Sequence, residues 1–225
     1  MKRRFRALIA IGASTLIFLT GALAANVVIS SKITSRVESE LPKASGVSAS
    51  IPLIDMPQNL ATGTIKSANI TIESYELKGS STETSLAIQA NEISKKKPTI
   101  IGSLDVTATI PAATILENAQ FEDAEIVGNT LQITVGGGGL GKAQLVPRYS
   151  NNQIYFYLES VSILGNKIPA SSLPADIQSQ IKSKSIRTLD VPKGLKVRSV
   201  SMSSKGLSIN LRGSNIQLGN LGSAL

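Results

Sequence analysis

The run LKVRSVSMSSKGLSINLRGSNIQL, residues 195–218, reads as two strands joined by a turn. Leu195 and Val197 fall on one parity and Val200 and Met202 on the other, so the period-two alternation slips by one at Arg198-Ser199. After the turn Ser203-Ser204-Lys205-Gly206, Leu207, Ile209 and Leu211 alternate, and a second slip at Gly213-Ser214 presents Ile216 and Leu218. A slip inside a strand predicts a β-bulge, which bends and further twists the strand. A hairpin with a bulge in each arm is expected to curve.

The same signature recurs upstream. Ala68, Ile70 and Ile72 alternate and then shift to Tyr75 and Leu77, while Leu86, Ile88 and Ala90 shift to Ile93. Leu104, Val106, Ala108 and Ile110 alternate with Asp105, Thr107 and Thr109, and polar turns at 79–82 and 94–98 make these a three-strand meander. Further strands carry Leu131, Ile133 and Val135, then Ala143 and Leu145, then Ile154, Phe156 and Leu158 with a shift to Val161 and Ile163. A sheet bulged this often is expected to coil around something. Ile110-Pro111-Ala112 and Ile168-Pro169-Ala170, each continued to an aliphatic residue at Ile115 and Leu173, follow a strand and precede a predicted helix with Pro in its first turn. Chance and a duplicated strand-strand-strand-helix unit both account for that match.

Composition narrows the chemistry. The chain has 225 residues, 42% hydrophobic and 17% charged, enough to bury one sizeable core or two small ones. Without Cys or His there is no disulfide framework, no lipidated Cys and no imidazole for metal binding or for base chemistry near neutral pH. No pair of carboxylates and no Ser/Lys constellation stands out by spacing, and Glu122, Asp123 and Glu125 beside Phe121 read as a polar helix end or turn. The expectation is no catalytic residues, no metal and no cofactor.

Lys2, Arg3, Arg4 and Arg6 precede an uncharged stretch at 7–31, long enough to cross roughly 30 Å of hydrocarbon at about 1.5 Å per residue, with the basic flank cytoplasmic. Two readings stand. The apolar run through Val27, Val28 and Ile29 favours a retained single-pass anchor, and Ala22-Leu23-Ala24 favours a signal cleaved after Ala24, giving a secreted or periplasmic protein. In either case the remainder is exported. Four of the 23 basic residues lie in the first six positions, which leaves 19 Lys and Arg against 15 Asp and Glu, a net charge of +4 for the rest. That mild excess suits anionic phospholipid headgroups; export, scarce aromatics and modest charge argue against nucleic acid.

Ile33, Val37 and Leu41 at i, i+4, i+8 predict a short amphipathic helix ended by Pro42, and 43–50 reads as a polar linker. The expected organisation is a signal or anchor at 1–31, helix and linker at 32–62, and a β-rich domain at 63–225.

Three local features have competing readings. Gly136-Gly137-Gly138-Gly139-Leu140-Gly141-Lys142 satisfies GxxxxGK, but Ala143 stands where a phosphate loop needs Ser or Thr, and 143–149 alternates as a strand, so a flexible hairpin loop is expected. Lys95-Lys96-Lys97 between two strands is either a solvated turn guarding a sheet edge or a contact for anionic headgroups. Residues 154–158 are apolar on both faces, Ile154, Phe156 and Leu158 on one and Tyr155 and Tyr157 on the other. Either the strand is covered on both sides, or one face lines a ligand cavity.

Val191-Pro192-Lys193-Gly194-Leu195-Lys196-Val197, followed by Gly206-Leu207-Ser208-Ile209-Asn210-Leu211-Arg212-Gly213, resembles the closing segment of the LmeA-like phospholipid-binding proteins of actinobacterial cell envelopes. Val191 stands where that family usually has leucine. Ile51-Pro52-Leu53-Ile54-Asp55-Met56-Pro57, with Leu60 and Gly63 after it, is similar to the segment before the family's first long strand, although Ser50-Ile51 replaces the usual glycine-phenylalanine. The resemblance spans 33–218. It implies an α+β, mainly antiparallel fold in which a long, curved, bulged sheet wraps around helices, as in tubular lipid-binding proteins. It also implies phospholipid held in an apolar groove by a non-enzymatic carrier, sensor or accessory to envelope lipid or glycolipid maturation. Leu53, Ile54, Ile70, Ile72, Phe121, Ile154, Phe156, Leu158 and Leu173 would line that groove. The competing class is a structural or protein-interaction module of the envelope.

Overall fold

Period-two alternation buries one face of a strand and leaves the other in water, and long stretches of this chain obey it. The structure, a computed structural model, describes Thr34, Glu38 and residues 44–52, 63–76, 83–94, 99–118, 123–135, 141–189, 191 and 193–217. Within the helix expected at 33–41, the two described positions, Thr34 and Glu38, are helical.

The fold is mostly antiparallel β. In chain order the elements are β1 (Ala44–Ser50), β2 (Thr64–Glu76), β3 (Glu83–Ser94), β4 (Ile100–Pro111), α1 (Ala112–Asn118), β5 (Glu125–Val127), β6 (Thr130–Val135), β7 (Gly141–Ser150), β8 (Gln153–Ile163), β9 (Asn166–Pro169), a 3₁₀ turn (Ala170–Ser172), α2 (Ala175–Ser185), β10 (Arg187–Thr188), β11 (Leu195–Ser203) and β12 (Gly206–Gln217). One six-stranded sheet runs β1-β2-β3-β4-β12-β11, and a second runs β10-β8-β7-β6-β5 with β9 also paired to β8. The strands thus divide between two sheets where one long sheet was expected. The helices lie beside them, α1 against β4 and β12 and α2 along β8. β11 packs against β7 and β6, and one apolar cluster joins residues of both sheets.

The linker expected at 43–50 is instead strand β1, paired with β2 from Ala44↔Tyr75 to Ser50↔Asn69. ASGVSAS carries one buried apolar residue, Val47, too little to mark a face; the backbone ladder to β2 holds it. Both Ile-Pro-Ala motifs do end a strand and open a helical turn, at α1 and at the 3₁₀ turn before α2.

The slips in alternation resolve into two kinds. Register shifts occur between Val197 and Ser199, between Ile72 and Tyr75, and opposite Gln144 and Leu145, where Ser160 and Leu158 are the partners and Glu159 is the extra residue. These are bulges. The slip expected as a bulge at Gly213-Ser214 is different: Gly213 and Ile216 are both buried, yet β12 keeps one register against β4 throughout. The face changes because Asn215 adopts the left-handed conformation (φ 52°), and Glu92 does the same on β3 (φ 55°). Ile65, Ile93, Ile101 and Ile216 are cross-strand neighbours in one buried row, and Ala68, Ala90, Leu104 and Gly213 form the next. Between them each strand spends two residues facing away, including Asn91 and Ser103, whose side chains bond at 3.0 Å. A crease therefore crosses four strands, and the apolar face continues past it.

Candidate functional site

The apolar interior and the strand that borders it, β8, are where a ligand reading has to be tested. Ile154 and Leu158 are buried, Phe156 is half-buried against the core, and on the other face Tyr155 is half-buried and Tyr157 exposed. β8 is thus not covered on both faces. Lys182 Nζ sits 4.5 Å from the centre of the Tyr155 ring and the Arg148 guanidinium 5.8 Å from that of Tyr157, so cations take up part of the outer face.

The edge of β8 away from β7 is closed in three pieces. β9 pairs with Ser160–Ile163 and β10 with Gln153 and Ile154. Between them α2 supplies side chains in place of a strand. The Phe156 N–H donates to Ser185 Oγ (2.9 Å), the Leu158 N–H donates to Gln178 Oε1 (3.2 Å), and Gln178 Nε2 donates back to the Leu158 carbonyl (2.7 Å). Ile177 and Ile181 of α2 turn inward onto the core. Pro147, opposite Phe156, lies beyond the residues of β7 that pair with β6, so its missing N–H costs that ladder nothing.

Among the residues expected to line a groove, Ile70 and Ile72 on β2 and Ile154 and Leu158 on β8 are 4% exposed or less, on different sheets but in one cluster. Phe156 and Leu173 pack half-buried against it. Leu53, Ile54 and Phe121 lie outside the described residues, as do Lys95, Lys96 and Lys97, flanked by the ends of β3 and β4. Other apolar side chains are likewise half-buried against the cluster: Ile115 and Leu116 of α1, and Val197 and Val200 of β11.

The glycine-rich run leads into a strand, β7, and Lys142 on it pairs with Glu125 (2.7 Å), as expected of a hairpin and unlike a phosphate loop. Ile163, expected to face inward, is 42% exposed because it ends β8 at a hairpin tip, followed by Leu164 at 76%. That tip escaped the sequence reading; the signal was Leu164-Gly165 where a two-residue turn ordinarily takes Asn-Gly. No helix among the described residues is long and apolar enough to cross a membrane, and the stretch at 7–31 lies outside them. No protein-family model, no curated protein and no solved structure matches this chain.

Proposed function

We propose that this is an exported cell-envelope protein that binds phospholipid, preferentially anionic, through its apolar interior, as a lipid carrier, sensor or accessory and not as an enzyme. The observation that carries the reading is the half-buried margin. Side chains of both sheets and both helices pack against the core while staying partly exposed, and apolar surface in that state favours an apolar occupant such as an acyl chain. The uncharged stretch at 7–31 behind a basic flank, the net positive charge of the exported part and the resemblance to the LmeA-like proteins support the same reading. So does the tubular lipid-binding architecture which that resemblance implies. On it, the amino terminus is cytoplasmic and the β domain extracytoplasmic, whether the segment is retained or cleaved after Ala24. Lys95, Lys96 and Lys97 are the proposed headgroup contacts.

The second reading, an interaction module of the envelope, is favoured by β1, which among the described residues stands at the end of the six-strand order, where a strand could be added. The deciding experiment purifies the full chain from envelopes in detergent, exchanges the detergent, and counts retained phospholipid by native mass spectrometry. Phospholipid near one molecule per chain is expected. A lipid-free chain that also extracts none from anionic vesicles would replace the lipid reading with the interaction module.

A further inference from the structure

The hairpin between β8 and β9 turns through Leu164 and Gly165, both left-handed at φ 50° and 85°. At its other end β8 joins β7 through Asn151 and Asn152, also left-handed at φ 50° and 56°. Asparagine tolerates that conformation because its short polar side chain bonds locally, whereas leucine there is strained and places an apolar side chain in water. One strand therefore shows both solutions. The disfavoured one sits beside a second exposed aliphatic residue, Ile163. A strained, exposed leucine is a cost to folding that a contact outside the chain would offset.

We propose that the Ile163-Leu164 tip dips into the surface of an anionic phospholipid bilayer. The proposal rests on the envelope lipid-binding reading above and names a second point of lipid contact, distinct from the interior. Two aliphatic side chains on a turn are far short of the roughly 1,200 Å² that a stable protein interface buries, but they suit shallow insertion among headgroups. Two lysines and one glutamate nearby leave one positive charge, the sign that an anionic surface attracts. Lys142, Ser162 and Lys167 are cross-strand neighbours one row behind the tip, and cross-strand neighbours share a face, so the two lysines stand on the same side. Lys142 is offset by Glu125, while Lys167 is exposed and has no ion-pair partner among the described residues. The apolar stretch at 7–31 would keep the tip at high local concentration beside the membrane.

The chain has no cysteine, so one introduced thiol labels one place. The full chain is reconstituted in vesicles of phosphatidylcholine with phosphatidylglycerol, carrying an environment-sensitive fluorophore at Asn166→Cys or, as control, at Thr188→Cys, whose strand pairs with the far end of β8, roughly 30 Å away. Doxyl-labelled lipid should quench the Asn166→Cys label and spare the control. Adding Leu164→Asn should weaken the tip's contact equilibrium with the bilayer about tenfold, the share of a leucine's burial that a shallow contact realises, and lower the quenching accordingly, while the melting temperature holds or rises as the strain is relieved. Equal quenching at both positions, quenching unchanged by Leu164→Asn, or a disulfide linking two unlabelled copies of the Asn166→Cys chain, which would put a second copy over the tip, overturns the proposal. Phospholipid retained by the same variants is counted by native mass spectrometry after purification in detergent, before they are placed in vesicles. A Leu164→Asn chain that keeps its lipid but loses quenching separates the tip from the interior, and an Asn166→Cys chain with Leu164 in place that is quenched but carries no lipid sinks the interior reading alone.

Discussion

At the scale of single residues, two positions on the core side show how local chemistry constrains the fold. Thr84 is 1% exposed, and its Oγ1 is the one buried side-chain oxygen or nitrogen among the described residues without a hydrogen-bond partner. A buried unpaired hydroxyl costs about 1–3 kcal/mol, and valine has nearly the same shape with no polar atom. Thr84→Val should therefore stabilise the chain by about 1 kcal/mol, or a rise of roughly 2–4 °C in melting temperature for a chain of this size. Thermal unfolding checks it, and a fall would mean that the hydroxyl has a partner after all. Gly206 has the opposite character. At φ 129°, a Cβ there would overlap the Ile110 carbonyl oxygen, and the adjoining Lys205 carbonyl accepts the Ala112 N–H of α1 at 3.1 Å. Leu207 beside it is 5% exposed. The Gly206-Leu207 pair, part of the sequence behind the resemblance to a lipid-binding family, thus has a sufficient reason in packing alone.

At the scale of elements, α2 acts as a strand substitute. Replacing Gln178 with leucine removes both of its bonds to Leu158 and leaves a strand N–H and C=O without partners at a half-covered edge. A loss of about 1–3 kcal/mol is expected in denaturant titration, whereas Ser179→Ala, exposed on the same helix and bonded within it, should change little. None of this was legible: a glutamine in a polar helix reads as a solvated residue until the strand edge it meets is known. Alternation did give the strands themselves, and the slips at Ala90 to Ile93 and at Arg198-Ser199 were readable because a change of parity is a one-strand property. That the first of these lines up with like changes on β2, β4 and β12 as a crease was not, because it depends on cross-strand register, which is set by turns and pairing partners. The same limit explains the candidate groove. Ile70, Ile72, Ile154 and Leu158 were identifiable as inward-facing, but inward on which sheet follows from strand pairing and from how β11 packs against β7.

At the scale of the molecule, the last hairpin ties the first half to the second. β12 pairs with β4 over its whole length, and its outer-face bonds, Thr107 Oγ1 to Asn210 Oδ1 at 2.7 Å and Thr109 to Ser208 at 3.2 Å, join residues about a hundred positions apart. Contacts this distant close late, after the intervening chain has been ordered. The hairpin also contributes Leu195, Met202, Leu207, Ile209, Leu211 and Ile216 to the core. At about 1.5–3 kcal/mol for each buried side chain, that is on the order of 10–20 kcal/mol, as much as the entire net stability of a typical domain. A chain ending at residue 190 should fail to fold, because it also leaves the full length of β4 as an open edge. Protease digestion of cell extracts should degrade it while sparing the intact chain, and co-expression of residues 191–225 should restore resistance. Should the shortened chain resist protease unaided, β1–β4 and β5–β10 would be separate units. An interior shared by the two sheets, on which the lipid reading depends, would then have to be given up.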